Sequence, residues 1–415
     1  MVKKFFLLIL IVCAIVGGFY YSAKNNKNDT RKEISLWTIQ LKPVAQGVIE
    51  KSISQFEEKH SNYKVVWVDI PIAEAQKRIL AATLGANPPD LVNLNPEFSL
   101  VLAQVGALEN FSQEDLTEFS KPMVEMLKFK NGVFAIPFYA TSSVSLYNKE
   151  LFKSANIENP PKTYDELFEI APQIKQKTGV YPFAINLVEN GSFAKILNKF
   201  DVNYQNFSEK EQKIYEILAK FNQLYKNNLI SKDSLSINHR EMVEKYMSKN
   251  AAFVVVGTNF LNMVEQNAPD VYKNSDVGFQ LASNLGKYDV ALMNFVIPKK
   301  AKNKELAKEL AKIVTSSEAQ LELSKSTGVL PANVLALEDE YFKNCDENLT
   351  AKARCISIEQ LNSTVDKNFG TQNKKEINDT INSTVENVLL NSKNQAEVKN
   401  EAKLLVKKLK TLIIH

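Results

Sequence analysis

The feature that most constrains the fold is an alternation of strand and helix patterns between Ile34 and Leu94. Residues 34–38, 63–70 and 90–94 have strand composition, and residues 73–84 form a helical segment that ends at Gly85. The first helix is marked by apolar side chains on one face, at Val44, Val48, Ile49, Ile53 and Phe56. This order predicts a parallel sheet with helices on its faces, and ligands in such sheets bind beyond the carboxyl ends of the strands.

A second constraint lies in residues 131–166. After an Asn-Gly turn, residues 133–139 predict an extended run, and residues 141–143 open a separate second strand that continues over residues 144–147. Pro137 cannot donate a ladder hydrogen bond, so the first run is predicted to be an edge or crossing segment. Thr163 and Glu166 have the spacing of a capping box, which predicts the start of a helix.

Two further patterns follow downstream. Residues 251–257 are an apolar strand that ends at Gly257, a residue that permits close approach to the backbone. Residues 294–298 predict a strand, which is followed by a lysine-rich turn and two helices that end at Gly328.

Together these motifs resemble the extracellular solute-binding proteins of bacterial ABC importers (family 1). They are most similar to the branch of maltose- and glycerol-3-phosphate-type binding proteins. The matching runs are IPFYATSSVSLYNKELF, NPPKTYDEL and IPKKAKNKELAKELAKIVTSSEAQ, followed by GVLPA. In the loop after residue 257, where this family often has a tryptophan, the chain has Phe260.

The resemblance implies an α/β fold of the periplasmic-binding-protein type II, with two discontinuous lobes and a hinge. Lobe 1 would comprise residues 33–138 and 290–326, and lobe 2 residues 139–289 and 327–415. It further implies a monomer that captures a carbohydrate, either a mono- or an oligosaccharide. A polyol phosphate, which would require cationic residues in the cleft, or another solute remains the alternative. The protein would deliver this solute to the membrane subunits of an ABC permease by lobe closure, without a cofactor and without chemistry on the solute.

The N-terminus has the pattern of an export signal. Lys3 and Lys4 precede an apolar run over residues 5–21, so residues 1–23 are predicted to be a cleaved signal peptide or a retained membrane anchor, and residues 24–32 a tether. Cys13 follows Val12, where a lipoprotein signal has a small residue, and the apolar run continues past it. Export places the protein in the periplasm or at the outer face of the cytoplasmic membrane.

Candidate ligand contacts follow from the strand ends and the resemblance. Trp37 and Tyr139 offer aromatic faces on which a sugar can pack. Hydrogen-bonding groups come from Gln40, Asn95, Glu97, Thr141, Thr258, Asn259 and Asn294.

Catalytic and nucleic-acid-binding functions find little support. The three histidines, His60, His239 and His415, are scattered in polar sequence and are predicted to be exposed, and no metalloprotease, serine-hydrolase or nucleotide-binding motif occurs. The net charge of +4 is spread over interleaved acidic and basic residues, without the basic stripe of a nucleic-acid binder. An extracellular glycan hydrolase and a ligand sensor for a membrane receptor are the alternatives.

Two features leave more than one interpretation open. Cys345 and Cys355 can form a disulfide or remain free thiols. The tail has helical apolar faces, the first including Ile377 and Val385 and the second Val398 and Leu405, which suit either core packing or a partner surface.

Overall fold

The computed structural model describes residues 30–364 and 373–413. The strands in these ranges are β1 (Lys32–Ile39), β2 (Tyr63–Ile70), β3 (Leu91–Leu94), β4 (Lys128–Phe129), β5 (Gly132–Val133), β6 (Ile136–Asn148), β7 (Phe253–Gly257), β8 (Ser275–Phe279), β9 (Val290–Val296) and β10 (Leu330–Pro331). The predicted leader and most of the predicted tether lie outside the described residues. Of the helices within them, none has both the length and the apolar composition of a membrane-crossing segment.

The α-helices of the same ranges pack against the sheet and against one another. They are α1 (Lys42–Lys59), α2 (Ile72–Leu84), α3 (Pro96–Gln104), α4 (Lys121–Glu125), α5 (Lys149–Ser154), α6 (Tyr164–Thr178), α7 (Ser192–Lys199), α8 (Glu211–Lys226), α9 (His239–Met247), α10 (Leu261–Asn267), α11 (Pro269–Lys273), α12 (Lys304–Val314), α13 (Ser317–Thr327), α14 (Leu349–Leu361), α15 (Lys374–Leu390) and α16 (Gln395–Leu412). The predicted cap of α6 is present, since Thr163 Oγ1 accepts the N–H of Glu166 at 3.2 Å.

The main sheet combines parallel and antiparallel pairs. Its central path runs β10-β6-β9-β3-β1-β2. β1 is parallel to both β2 and β3, which confirms the parallel order predicted from the strand and helix patterns between Ile34 and Leu94. β9 returns from far along the chain and pairs antiparallel with β3 and β6. The carboxyl ends of β1, β2 and β3 therefore lie at one edge of the sheet.

β6 is the element that links the two ends of the molecule. Its first part, through Ser142, pairs with β9, and its last part, from Ser143, pairs with β7 and β8. The prediction of two separate strands here was wrong, because β9 bridges the expected break without interruption. Pro137 is accommodated by a shift of register between Pro137 and Tyr139.

The buried side chains form three clusters, here called the first, second and third core. The first core takes side chains from residues 34–140 and 292–332 together with Leu361; the second takes residues 152–281 and 377–409; the third takes residues 144–277 and Ala353. β6 contributes Ala140 to the first core and Val144 to the third. The strand thus changes core within four residues, while the predicted lobe boundaries remain a prediction.

A buried amide network joins three distant segments where β6 changes core. Gln360 Nε2 donates to Ser142 Oγ and to the carbonyl of Ser143, each at 3.0 Å. Gln360 Oε1 accepts the N–H of Gln280 at 2.8 Å, and Gln280 Nε2 donates to the carbonyl of Asp289 at 2.8 Å. Ser142, Gln280 and Gln360 are all buried. This network, called the glutamine joint below, fixes how the two parts of β6 meet.

The C-terminal region shows which alternative holds for the two cysteines and for the apolar faces of the tail helices. Cys345 and Cys355 form a disulfide, with an S–S distance of 2.11 Å. The apolar faces of α15 and α16 are buried in the second core against α8, as Val385 and Leu405 illustrate. The tail helices therefore serve core packing, and Lys374, the first residue of α15, forms an ion pair with Glu97 of α3.

Candidate ligand-binding site

A cavity of about 600 Å³ lies beside the part of β6 where the cores meet. Its volume falls within the range of small-molecule sites, about 300–1,000 Å³. One side, here called the first wall, consists of residues 95–97, Met126, Thr141 and residues 289–293. The opposite side, the second wall, consists of Ser143, Tyr164, Leu167, residues 183–186, Ser192, Lys195, Ile196, Lys199, His239, Met242, Phe253, Val255, Gln280, Leu281 and Lys374.

The first wall presents short polar groups on fixed backbone. Asn95 caps α3, and its Oδ1 accepts the N–H of Phe98 at 2.8 Å. This bond occupies the carbonyl oxygen of the amide and leaves its Nδ2 as a donor toward the cavity. Pro96 at the first position of α3 holds this turn rigid. Thr141 lies on β6 with its side chain exposed.

The second wall is built on one face of α7. Ser192, Lys195, Ile196 and Lys199 have the spacing i, i+3, i+4 and i+7, so they share one side of the helix. The opposite side of α7 is anchored in the second core by Phe193 and Leu197. That packing fixes which side chains of α7 reach the cavity.

Two ion pairs lie at the cavity. Glu97 of the first wall pairs with Lys374 of the second, through Oε2 and Nζ. Lys199 Nζ lies 2.9 Å from Oδ2 of Asp289 and 3.4 Å from Oε1 of Gln280, and the Lys199 side chain is only 7% exposed. The two lining carboxylates are thus each matched by a lysine from the other wall.

His239 and Tyr164 are the titratable aromatic groups of the second wall. Burial lowers the pKa of His239, and the positive charge of Lys195 lowers it further, against an opposing effect of Glu189. Burial likewise raises the pKa of Tyr164, with a smaller contribution from Asp289. Both groups are therefore neutral at pH 7. The prediction that His239 is exposed was wrong, because α9 presents the half-buried ring to the cavity.

The other two histidines lie elsewhere. His60 Nε2 is 2.8 Å from Glu309 Oε2, and its side chain is 23% exposed. His415 lies outside the described residues. No three His, Cys, Asp or Glu side chains are grouped as a metal site would require, within residues 30–364 and 373–413.

Of the nine candidate ligand residues, Asn95, Glu97 and Thr141 line the cavity. Trp37, Gln40 and Tyr139 do not. Trp37 is half-buried against the first core, and Gln40 ends β1 in the left-handed region, with φ of 50° and its N–H bonded to the carbonyl of Ile70. Tyr139 packs edge-on to Phe138 at 5.0 Å, and burial raises its pKa to about 12.

Thr258, Asn259 and Asn294 also lie away from the cavity. Thr258 and Asn259 form a short turn after β7, and Asn259 Oδ1 lies 2.5 Å from the position that a Cβ of Gly257 would take. The close approach predicted at Gly257 is therefore made by Asn259. Asn294 is fully buried in β9, where its Nδ2 donates to Ser99 Oγ at 2.7 Å.

Sequence reasoning missed most of the second wall. Ser192, Lys195 and Lys199 have a helical spacing that would have indicated one polar face of α7. Gln280 and Lys374 gave no comparable signal, because they reach the cavity only through the packing of β8 and α15. Asn186 and Ser192 add a hydrogen-bonded pair, in which Ser192 Oγ donates to Asn186 Oδ1.

The sequence matches a known family over most of its length. The profile of the bacterial extracellular solute-binding proteins matches residues 51–349. The diacetylchitobiose-binding protein DasA of Streptomyces coelicolor is 26% identical over 298 residues, which cover 67% of this chain and 68% of DasA. The sn-glycerol-3-phosphate-binding periplasmic protein UgpB of Rhizobium meliloti is 30% identical over 148 residues, which cover 31% of this chain and 33% of UgpB.

Solved structures show the same fold. The ABC substrate-binding protein Lmo0181 of Listeria monocytogenes, in complex with cycloalternan, superposes with a TM-score of 0.67 and 19% identity and covers 92% of this chain and 99% of that one. The GacH receptor of Streptomyces glaucescens gives a TM-score of 0.68 and 18% identity and covers 91% and 98%. These likenesses confirm the periplasmic-binding-protein fold predicted from the sequence.

Proposed function

This chain belongs to the family of bacterial extracellular solute-binding proteins and acts as the substrate-binding component of an ABC transporter, and we propose that the solute it captures is a carbohydrate. The observation that carries this proposal is a cavity whose two walls belong to different cores and are joined by one strand. A mono- or oligosaccharide would be held there by the hydroxyl and amide groups of both walls.

The hydrogen-bonding groups suit a polyhydroxylated ligand. Asn95 offers a free amide donor, and the hydroxyl of Thr141 has no hydrogen bond to another described residue. Sugar hydroxyls both donate and accept, so they can pair with each of these groups. Relatives with sugar names, including the diacetylchitobiose-binding protein, support the same class of solute.

Lobe closure is the proposed mechanism. A ligand that contacts Asn95 or Glu97 of lobe 1 together with the cavity face of α7 in lobe 2 binds the closed form more tightly than the open form and so shifts the population toward it. The permease would then recognise the closed form. The lobe boundaries at residues 138/139, 289/290 and 326/327 are part of this proposal, as are the ligand contacts of Asn95, Glu97 and Thr141.

Several further properties belong to the same proposal. The protein acts outside the cytoplasmic membrane, in the periplasm or at its outer face, as a monomer and without changing the solute. If the leader is retained, it anchors the protein to the membrane. Trp37, Gln40, Tyr139, Thr258, Asn259 and Asn294 remain predicted contacts that lie outside the present cavity.

A thermal-shift screen against sugars and oligosaccharides, followed by calorimetry, tests the proposal. A ligand that binds only the folded protein raises its stability by RT ln(1 + [L]/Kd). We expect Thr141→Val to weaken the binding of a hit roughly 3- to 10-fold, because one hydrogen bond contributes about 0.5–1.5 kcal/mol.

The control is Thr117→Val, at an exposed threonine that does not line the cavity. It should leave the affinity unchanged, and both variants should melt like the parent without sugar. If the sugar is hydrolysed during the titration, the protein is a glycan hydrolase instead. If no carbohydrate shifts the melting temperature, the proposed solute class is wrong.

A further inference from the structure

Lys195 is a cavity cation whose charge is not matched by a carboxylate. Glu97 pairs with Lys374, and Asp289 pairs with Lys199, so both acidic side chains of the cavity have a partner. Lys195 is exposed and lines the same cavity, and within the described part of the chain it takes part in no ion pair. The cavity therefore has three lysines against two carboxylates.

A third carboxylate nearby does not neutralise Lys195. Glu189 does not line the cavity. Its Oε2 accepts the N–H of His239 at 2.8 Å and Nδ2 of Asn186 at 3.1 Å. The Glu189 carboxylate is thus engaged by His239 and Asn186, and within the described residues it forms no ion pair with Lys195.

Lys195 and Lys199 lie one turn apart on the cavity face of α7. An ammonium group has three donors, and Lys199 uses two of them on Asp289 and Gln280. Its side chain is only 7% exposed, so its position is fixed by packing. An oxygen-rich anion placed between the two lysines can therefore accept one hydrogen bond from each.

Lobe closure would make the positive charge of Lys195 energetically unfavourable if the ligand offered no negative charge to pair with it. As the walls approach, the ammonium group loses water, and a charge without a partner in a desolvated site is costly. A carboxylate or phosphate on the ligand removes this cost through a charge-assisted hydrogen bond.

We propose that the natural ligand is a saccharide or polyol that carries an anionic group, a carboxylate or a phosphate, which Lys195 binds. This inference rests on the proposed function and narrows its solute class. The neutral part of the ligand would contact Asn95 and Thr141 on the first wall, and its acidic group would face α7.

Calorimetry with matched ligand pairs tests the inference on the purified full-length protein. The pairs are glucose and glucuronate, galactose and galacturonate, glucose and glucose 6-phosphate, and glycerol and glycerol 3-phosphate. We expect one acidic member to bind roughly 10- to 100-fold more tightly than its neutral partner, which is the range of a hydrogen bond to a charged group. The carboxylate and phosphate arms tell which anion is used.

Lys195→Gln should remove most of this preference for the acidic ligand. Raising the salt concentration should lower the affinity of the parent protein for that ligand more than it lowers the affinity of the variant. The control is Lys153→Gln, at an exposed lysine of α5 that does not line the cavity, which should leave the preference intact. An acidic preference that survives in Lys195→Gln would overturn the assignment of this residue.

The remaining outcomes separate this inference from the proposed function. If neutral sugars bind at least as tightly as their acidic partners, the anionic ligand is refuted while the carbohydrate function stands. If no member of any pair binds, both fail.

Discussion

The two walls of the cavity are built in different ways. The first wall consists of a helix cap and two neighbouring strands, so its polar groups are short and lie directly on rigid backbone. The second wall consists of helix faces, parts of β6 and β7 and the start of the tail helix α15, and it carries the three lysines that line the cavity. The two lining carboxylates lie on the first wall and the lysines on the second, so a ligand that bridges the walls must satisfy groups of opposite charge on its two sides.

Breaking the joint between the walls should have the largest effect on stability. We expect Gln360→Leu to lower the free energy of unfolding by about 2–4 kcal/mol, because the buried N–H of Gln280 and carbonyl of Ser143 lose a partner. Urea unfolding measures the change.

The matched control is Gln176→Leu, at an exposed position of α6. It makes the same chemical change without uncovering a buried group, so its unfolding curve should follow that of the parent. Equal curves for the two variants would show that the glutamine joint adds nothing to stability.

A smaller effect on the free energy of unfolding is expected from the ion pair between Asp115 and Lys312, which does not line the cavity. Burial alone would raise the pKa of Asp115, but hydrogen bonds from Lys312 and Ser112 and the charge of Lys308 outweigh it and lower the pKa from 3.8 to about 2. The Asp115 side chain is 6% exposed, and its Oδ1 lies 2.7 Å from Lys312 Nζ. Asp115→Asn should therefore destabilise the protein at pH 7 by about 1–2 kcal/mol.

The pH dependence gives the sign of this effect. Because the pKa is lower in the folded state, the stabilisation is fully present above pH 4 and disappears as the pH falls toward 2. The difference between parent and Asp115→Asn should narrow over that interval when both are unfolded in urea. A difference that is constant from pH 7 to pH 3 would contradict the assignment.

The smallest effect concerns the pair that spans the cavity. Glu97 and Lys374 are 26% and 39% exposed, so we expect a coupling energy of only about 0.5–1 kcal/mol. A double-mutant cycle with Glu97→Gln and Lys374→Gln measures it without ligand, and the coupling should decrease with salt.

As a control, the same cycle on Glu74 and Arg78 probes an ion pair within one helix. Added salt should weaken the Glu74–Arg78 ion pair too, but loss of this ion pair should leave the affinity for a sugar unchanged. A Glu97–Lys374 coupling of zero would mean that the two walls do not attract each other in the free protein.

Much of the fold could be predicted from local patterns. The apolar periodicities of β1 to β3 predicted the parallel pairs, and Thr163 predicted the cap of α6. Continuity of β6 could not be predicted, because pairing with the distant β9 carries the strand across the expected break as far as Ser142, and pairing with β7 and β8 continues it from there. The residues of β6 do not by themselves indicate which distant segment pairs with the strand.

The residues of the candidate site also divide into those that local patterns predicted and those that they did not. Asn95, Glu97 and Thr141 were predicted because they follow strand ends or lie on β6, where the topology places a ligand. Trp37 and Tyr139 were chosen for their aromatic faces, and packing against the first core directs them elsewhere. Gln280 and Lys374 depend on how β8 and α15 pack, which no local pattern specifies.

The composition of the first and second cores also bears on when the chain can fold. The first core needs side chains from residues 292–332, and the second needs residues 377–409, so neither can be completed until most of the chain has left the ribosome. Pairing of such distant segments is slow to form. We therefore expect the chain to complete its folding only after most of it has been synthesised.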